Sequence, residues 1–221
     1  MENYIFSFYL TYILLLTTAT ITFIEAIRTK IPAVQHIMNL ETCISLIGGY
    51  FYSVFNEKLR KYQDHTNMNI DWNEFTQLRY IDWVITTPFM LLVLSLVLSF
   101  NSKTKIRLHW FALTVLFNYM MLCIGYLGET EKLERIIANV LGFLAFFGTF
   151  GIIFTQYVLP RFNRDNYILF TIYLIIWGMY GIAYNFDEIN KNILMNYLDL
   201  ISKCLIGIGL WIYYTKIIKF A

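Results

Sequence analysis

Apolar residues gather in seven long runs along the chain, and short polar segments separate most of them. The runs cover roughly residues 5–27, 33–55, 79–100, 108–127, 136–159, 167–186 and 192–218. A helix needs about 20 apolar residues to cross the hydrocarbon core of a bilayer. The pattern therefore predicts an all-α membrane protein, a bundle of seven transmembrane helices that forms a single domain over residues 1–221.

Two of the polar breaks bear on the predicted fold. The break between the second and third runs, residues 56–78, is by far the longest, and we expect it to hold a small hairpin or a short helix. The break before the seventh run covers residues 187–191. Because an odd number of crossings separates the two ends of the chain, the termini are predicted to lie on opposite sides of the membrane.

Composition supports the membrane interpretation. Of 221 residues, 58% are hydrophobic and only 14% are charged, whereas soluble domains carry about 25% charged residues. These values exclude a disordered chain, a nucleic-acid-binding protein and an ordinary soluble enzyme. Cys43, Cys123 and Cys204 each lie within an apolar run, so we interpret them as small buried hydrophobic residues rather than as disulfide partners or metal ligands.

The distribution of charge predicts the orientation. Basic residues dominate one side of the predicted bundle, where Asp165 is the only acid; they are Arg28, Lys30, Lys103, Lys105, Arg107, Arg161, Arg164, Lys216 and Lys219. Basic loops face the cytoplasm. The N-terminus is therefore predicted to be extracellular and the C-terminus cytoplasmic. Because the chain starts with Glu2 instead of a basic segment, the first run is expected to be an uncleaved anchor.

Five charged residues fall inside the predicted spans, where charge is costly and often functional. Lys203 and Asp199 in the seventh span are four residues apart and share one face of a helix. A lysine in a dry environment needs a counterion or a covalent partner, and a primary amine forms a Schiff base with an aldehyde. Glu41 lies in the second span, and Arg79 and Asp82 lie in the third.

The third span places two kinds of side chain on neighbouring faces. Asp82 and Thr86 share one face, while Trp83, Thr87 and Met90 share the next. With Arg79 and a protonated nitrogen on Lys203, the two aspartates of the third and seventh spans would form a set of zero net charge. Such a neutral group is far less costly to bury than any one of its members.

These motifs resemble the microbial (type 1) rhodopsins over essentially the whole chain. The segments RYIDWVITTP in the third span and DLISK in the seventh carry the resemblance. Asn118, Met121 and Gly125 keep the family spacing in the fourth span, and the segment GYLGE is similar to proteorhodopsin. Trp177 and Tyr180 match an aromatic pair of the sixth span. Short loops and a composition rich in Ile, Asn, Tyr and Lys resemble the rhodopsins of large DNA viruses of algae.

The resemblance implies a photoreceptor, and not an enzyme, that lies in a lipid bilayer. It implies all-trans retinal as the cofactor, bound to Lys203 as a protonated Schiff base. Asp82 is then the primary counterion and proton acceptor beside Thr86, Asp199 is the second counterion, and Arg79 is a gate beneath them. The retinal pocket would be formed by Trp83, Thr87, Met90, Met121, Gly125, Trp177 and Tyr180. Relatives often form oligomers, so a homo-oligomer is also possible.

One departure from the family pattern and one additional feature bear on the transported species. Val93 stands where outward proton pumps of the family carry a carboxylic acid. Glu41 and Ser45 form a polar stripe on the second span, and Ser7 and Asn196 add polar groups on the first and seventh. Such residues often form only interhelical hydrogen bonds. They also fit a cation pathway, so the sequence favours a light-gated cation channel, with a light-driven outward proton pump as the alternative. A sensory rhodopsin is less favoured because the chain has no output domain.

Overall fold

The computed structural model describes residues 3–64 and 70–215, and within these ranges the chain folds into seven helices. The first four are α1 (Asn3–Arg28), α2 (Pro32–Asp64), α3 (Trp72–Ser102) and α4 (Leu108–Glu129). They are followed by α5 (Arg135–Val158), α6 (Arg164–Ala183) and α7 (Glu188–Thr215). No strand occurs in the described ranges. The seven predicted helices are confirmed, and the last residues predicted for the seventh span lie outside the described part.

The long break between the second and third spans was expected to hold a small hairpin or a short helix. Its described residues are largely helical, but they continue the neighbouring helices and form no separate element. Helix α2 continues to Asp64, and α3 already begins at Trp72; residues 65–69 lie outside the described part. Polar residues extend both helices because they pair along and between them. Lys61 forms an ion pair with Glu57 one turn earlier, and Lys58 pairs with Glu74 of α3.

Helix α7 also begins earlier than its apolar run indicates. The side chain of Asp187 accepts a hydrogen bond from the backbone N–H of Asn190, which caps the helix. Hydrogen bonds from Asn190 lower the pKa of the Asp187 carboxyl group. Lys191, predicted to lie in a polar break, instead lies buried in the first turn, 2.7 Å from Glu188.

Six of the seven helices are long and apolar enough to cross a membrane. The exception is α2, although its helical length is sufficient. Polar residues such as His36, Asn39 and Glu41 lower the mean hydropathy of its middle portion. Composition alone therefore supports six spans rather than the seven predicted.

The helices pack as two compact units, the first comprising Met1–Leu78 and Phe186–Ala221 and the second comprising Arg79–Asn185. In the first unit, α1 packs along α2 and α7. An aromatic cluster of Phe8, Tyr52, Phe55 and Phe75 joins α1 and α2 to the start of α3. Close packing of such rings stabilises the helix contacts through van der Waals attraction. This cluster fixes the helices that carry the residues Glu41 and Lys203.

The second unit contains the rest of α3 together with α4, α5 and α6. Helix α4 packs mainly along α5. Asn166 of α6 is fully buried and donates to the carbonyl oxygen of Leu98 at 2.9 Å and to the hydroxyl of Ser102 at 2.6 Å. These bonds fasten one end of α6 to α3. Phe150 of α5 packs edge-on against Trp177 of α6, with ring centroids 5.7 Å apart.

Two features of the helices were not expected from the sequence. Helix α7 contains a π-helical segment, Leu200–Leu205, which includes Lys203, and α5 ends in another, Phe154–Val158. The prediction of three buried cysteines is wrong for Cys43 and Cys123, which are exposed, and is confirmed for Cys204. Even a wholly apolar helix turns part of its surface outward, so position in an apolar run does not establish burial.

Candidate functional site

Lys203 lies in the π-helical segment of α7, and its side chain is almost completely buried. Its Nζ lies 3.7 Å from Oδ2 of Asp199, one turn earlier on the same helix. Gly48 of α2 lies beside the lysine stem: a Cβ built at Gly48 would be 3.6 Å from Cδ of Lys203. A buried amine thus lies beside a buried carboxylate, as the spacing in the sequence predicted.

Asp199 belongs to a network of hydrogen bonds that joins the three helices of the first unit. The hydroxyl of Tyr52 donates to Oδ2 of Asp199 at 2.9 Å and lies 3.0 Å from Oδ1 of Asn196. Asn196 in turn donates to Ser7 at 2.9 Å, and Thr11 donates to its carbonyl oxygen at 3.1 Å. Ser7 and Asn196 are therefore brought together with Asp199. The bond from Tyr52 to Asp199 was not predicted from the sequence.

Glu41 of α2 lies beside α7, one turn beyond Lys203 on the side away from Asp199. A Cβ built at Gly207, one turn after Lys203, would lie 2.8 Å from Oε2 of Glu41 and 3.1 Å from Cγ2 of Thr18. The glycine therefore makes room for the carboxyl group. Glu41 is 2% exposed. Among the described residues no hydrogen bond or ion pair is formed by its carboxyl group, which is expensive to bury in its charged form.

The second unit carries the other predicted carboxylate, Asp82, in the middle of α3. Asp82 and Thr86 are both fully buried. The hydroxyl of Thr86 donates to the carbonyl oxygen of Asp82 at 2.8 Å and lies 3.4 Å from its Oδ1. The predicted pairing of these residues on one helical face is confirmed. Arg79, one turn earlier on α3, is also buried.

The neighbouring face of α3 presents the flat apolar ring of Trp83, which is flanked by a hydrogen-bonded threonine, Thr87. Trp83 packs edge-on against Tyr180 of α6, with ring centroids 5.3 Å apart. Thr87 donates to the carbonyl oxygen of Trp83 at 2.7 Å and accepts a hydrogen bond from Asn118 of α4 at 2.8 Å. The bond from Asn118 to Thr87 joins α4 to α3 beside Trp83, and the ring of Trp83 itself is held by its contact with Tyr180.

Gly125 of α4 permits a close approach that the sequence did not reveal. A Cβ at this position would lie 2.7 Å from the hydroxyl oxygen of Tyr80. Tyr80 packs edge-on against both Trp83 and Tyr126, with centroid distances of 5.3 Å and 5.2 Å. Glycine at position 125 thus lets Tyr80 buttress the ring of Trp83.

The remaining predicted pocket residues also lie in the second unit. Met90 and Trp177 are buried, while Met121 is partly exposed. Tyr80, Gly48 and Gly207 were missed as candidate residues. Each lies three or four residues from a predicted site residue, on the same helical face: Tyr80 from Trp83, Gly48 from Ser45 and Gly207 from Lys203. That spacing identifies a contact only when the helix packed against the face is known.

Comparison with known proteins identifies the family. The model of the bacteriorhodopsin-like protein family matches residues 3–217. The chain belongs to this family. It is therefore an integral multi-pass membrane protein, and members of the family bind retinal through a Schiff base to a lysine.

Individual relatives agree with this assignment. The crystal structure of viral rhodopsin OLPVRII is 41% identical, with a TM-score of 0.90 over 99% of this chain and 100% of that one. The proton-pumping rhodopsin AR2 of the marine alga Acetabularia acetabulum is 22% identical, with a TM-score of 0.74 over 98% and 96% of the two chains. This second likeness concerns the fold alone.

A curated relative is the green-light absorbing proteorhodopsin of Gamma-proteobacterium EBAC31A08. It is 24% identical over 155 residues, which is 62% of this chain and 60% of the relative. The matched part thus spans less than two thirds of that protein. The resemblance to microbial, viral and proteobacterial rhodopsins that the motifs indicated is confirmed.

The described residues fit the cofactor of the family. Lys203 supplies a buried primary amine with a carboxylate 3.7 Å away, and Gly48 leaves space along its stem. In the second unit, the rings of Trp83 and Tyr180 form a rigid apolar surface suited to a flat polyene. The first unit thus supplies the amine and a counterion for a retinal Schiff base, and the second unit supplies an apolar ring surface for the polyene.

Proposed function

We propose that on illumination this chain moves protons outward across the membrane, and that Glu41 resupplies the proton to Nζ of Lys203. The observation that carries the proposal is the position of Glu41, buried against Gly207 one turn after Lys203 on α7. Retinal bound to Lys203 would supply the light-driven change of shape, which would alter the proton affinity of Nζ. The protein residues then determine where the proton goes.

Asp82 is proposed to accept the proton, and Asp199 to serve as the second counterion. The hydrogen bond from Tyr52 fixes the carboxylate of Asp199 in the first unit. In the second unit, the hydroxyl of Thr86 lies 3.4 Å from Oδ1 of Asp82 while it donates to the Asp82 carbonyl oxygen. Carboxylates held in this way stabilise a nearby cation without having to reorganise. Arg79 is proposed to lie on the exit route for the proton.

Glu41 supplies the proton that returns to Nζ of Lys203. An isolated carboxyl group in an apolar environment is most stable in its neutral, protonated form, so it can donate once the nitrogen of Lys203 has lost its proton. Val93 is fully buried and carries no exchangeable proton. Glu41 on α2 therefore takes the role that a carboxylic acid on α3 has in other pumps.

A light-gated cation channel is the second candidate, and the polar residues of the first unit favour it. Glu41, Ser45, Ser7 and Asn196 are all buried on α1, α2 and α7. If movement of α7 broke the bonds that join Ser7 to Asn196 and Tyr52 to Asp199, these groups could line a wet pathway. In this structure those hydrogen bonds join the residues to one another, which supports a closed proton-transfer network more directly than a pore.

Flash photolysis of Glu41→Gln tests the proposal. In the wild type, visible absorbance should recover at a rate nearly independent of external pH, because the donor is internal. Glu41→Gln should slow recovery by about 100-fold or more. Its rate should fall further as pH rises, since the proton must then come from bulk water.

Glu25→Gln serves as the matched control, because Glu25 lies near the end of α1 and accepts a hydrogen bond from Trp211 at 3.4 Å. This variant should recover like the wild type. Unchanged, pH-independent recovery in Glu41→Gln would remove Glu41 as the donor.

A further inference from the structure

One face of α2 meets α7 at three successive levels. Glu41 lies against Gly207, Gly48 lies against the stem of Lys203, and Tyr52 donates to Asp199. The order along α2 is the reverse of the order along α7, as expected for antiparallel helices. Glu41 thus lies in the same row of α2 residues as Gly48, which contacts the stem of Lys203.

This row leaves a gap between Glu41 and Nζ of Lys203. Seven residues separate Glu41 from Gly48, which corresponds to a rise of about 10 Å along the helix. Nζ lies further still from Glu41, because the lysine side chain extends from Gly48 towards Asp199. A direct hydrogen bond spans only about 3 Å. Proton transfer between these groups therefore requires an intervening hydrogen-bonded group.

Ser45 lies in this gap, one turn from Glu41 and three residues before Gly48. Its side chain is fully buried. Its Oγ has no hydrogen-bond partner among the described residues, although a serine in a helix commonly bonds to the carbonyl oxygen four residues earlier. Buried polar groups are nearly always satisfied, and where protein atoms do not satisfy them, ordered water does.

We propose that Ser45 holds a buried water molecule that forms part of the proton path from Glu41 to Lys203. This inference rests on the proposed function of Glu41. Thr18 and Cys204 flank the same region, since Thr18 packs towards Gly207 and Cys204 lies beside both Thr18 and Lys203.

The transfer is balanced without a further reactant. The O–H bond of the Glu41 carboxyl group breaks as its proton passes to the water oxygen. Each oxygen on the path, Ser45 Oγ included, accepts one proton and gives up another, and the last of them gives a proton to the unprotonated nitrogen of Lys203. Glu41 is left as a carboxylate, and the water and Ser45 are unchanged. Ser45 is thus a positioning residue.

Structure determination of the retinal-bound protein tests the water directly. The wild type should show an ordered water within about 3.2 Å of Ser45 Oγ, and Ser45→Ala should lose it while keeping the positions of Glu41 and Lys203. Removing a hydroxyl that has no protein partner should leave the fold intact. If the wild type contains no such water, the inference is overturned.

Recovery kinetics provide a second test. Ser45→Ala should slow recovery of the visible absorbance by about tenfold, less than the roughly 100-fold expected when the donor itself is removed. The colour in the dark should be unchanged, and Ser45→Thr should restore much of the rate because it retains the hydroxyl. Ser53→Ala is the control, since the Ser53 hydroxyl bonds to the Tyr50 carbonyl oxygen near the far end of α2.

The two proposals fail in different ways. If Glu41→Gln leaves recovery unchanged, the proposed donor is wrong and the relay falls with it. If Glu41→Gln slows recovery but Ser45→Ala recovers like Ser53→Ala, the donor stands and the relay at Ser45 is overturned. Slow recovery in both Ser45→Ala and Ser45→Thr would also overturn the relay, because the hydroxyl would then not be what matters.

Discussion

At the scale of single residues, the chemistry depends on a buried amine and the carboxylates that stabilise its charge. Lys203 and Asp199 are held together on α7, and the hydroxyl of Tyr52 holds Asp199 in place. Asp82 is held by Thr86 on α3. Charges in a low-dielectric interior interact strongly, so changing any one of these groups should alter the colour or the proton affinity of the site.

Lys203→Ala should give a colourless protein when it is reconstituted with all-trans retinal, because the variant lacks the amine that forms the Schiff base. Lys191→Met is the matched control: Lys191 is a second buried lysine on α7, paired with Glu188 in the first turn. Absorption spectra should show normal colour for this control. A coloured Lys203→Ala protein would contradict the assignment of the attachment site.

Asp82→Asn should shift the visible absorption to longer wavelength. Loss of the counterion charge destabilises the positive charge on the nitrogen in the dark more than in the excited state, where that charge is spread along the polyene. Asp187→Asn, at the exposed cap of α7, should leave the spectrum unchanged. If Asp82→Asn also left it unchanged, Asp199 would be the main counterion.

At the scale of helices, close packing of α2 on α7 sets the position of Glu41, the proposed proton donor. The contact depends on the absence of a side chain at Gly207, which leaves room for Glu41 and Thr18. The rows of α2 and α7 must stay in register for Glu41, Ser45 and Lys203 to act in sequence. A small change on α7 that leaves the cofactor site intact should therefore change the kinetics.

Gly207→Ala should slow recovery after a flash while preserving the dark colour. Its methyl group would lie 2.8 Å from Oε2 of Glu41, so the carboxyl group must shift. Gly209→Ala is the control, because a Cβ there meets nothing within 4 Å. Equal recovery rates in the two variants would show that the position of Glu41 does not control the rate.

The helices and the central charges were predictable from the sequence because both depend on local patterns. Apolar runs locate the middle of each helix, and Asp199 and Lys203 share a face at a spacing of four. The extension of α2 to Asp64 was not predictable, because polar helical turns lack the apolar pattern used to find spans. The contact between Glu41 and Gly207 was not predictable either, because it depends on how α2 packs against α7. The spacing of residues within one helix carries no information about that packing.

At the scale of the whole molecule, the chain belongs to the bacteriorhodopsin-like family, whose members bind retinal in a helical bundle. What separates a pump from a channel is whether light moves protons without a driving gradient. In a pump, the proton acceptor and the donor act in turn, so net transport continues in one direction. In a channel, the direction of the current follows the electrochemical gradient.

Photocurrent recorded under voltage clamp with symmetrical solutions tests this central claim most directly. Proton pumping predicts an outward current at zero voltage that keeps its sign across the voltage range, and that nearly disappears under continuous light in Glu41→Gln because each cycle becomes slow. A wild-type current that vanishes at zero voltage and reverses with the ion gradient would contradict the pump and establish the cation channel instead.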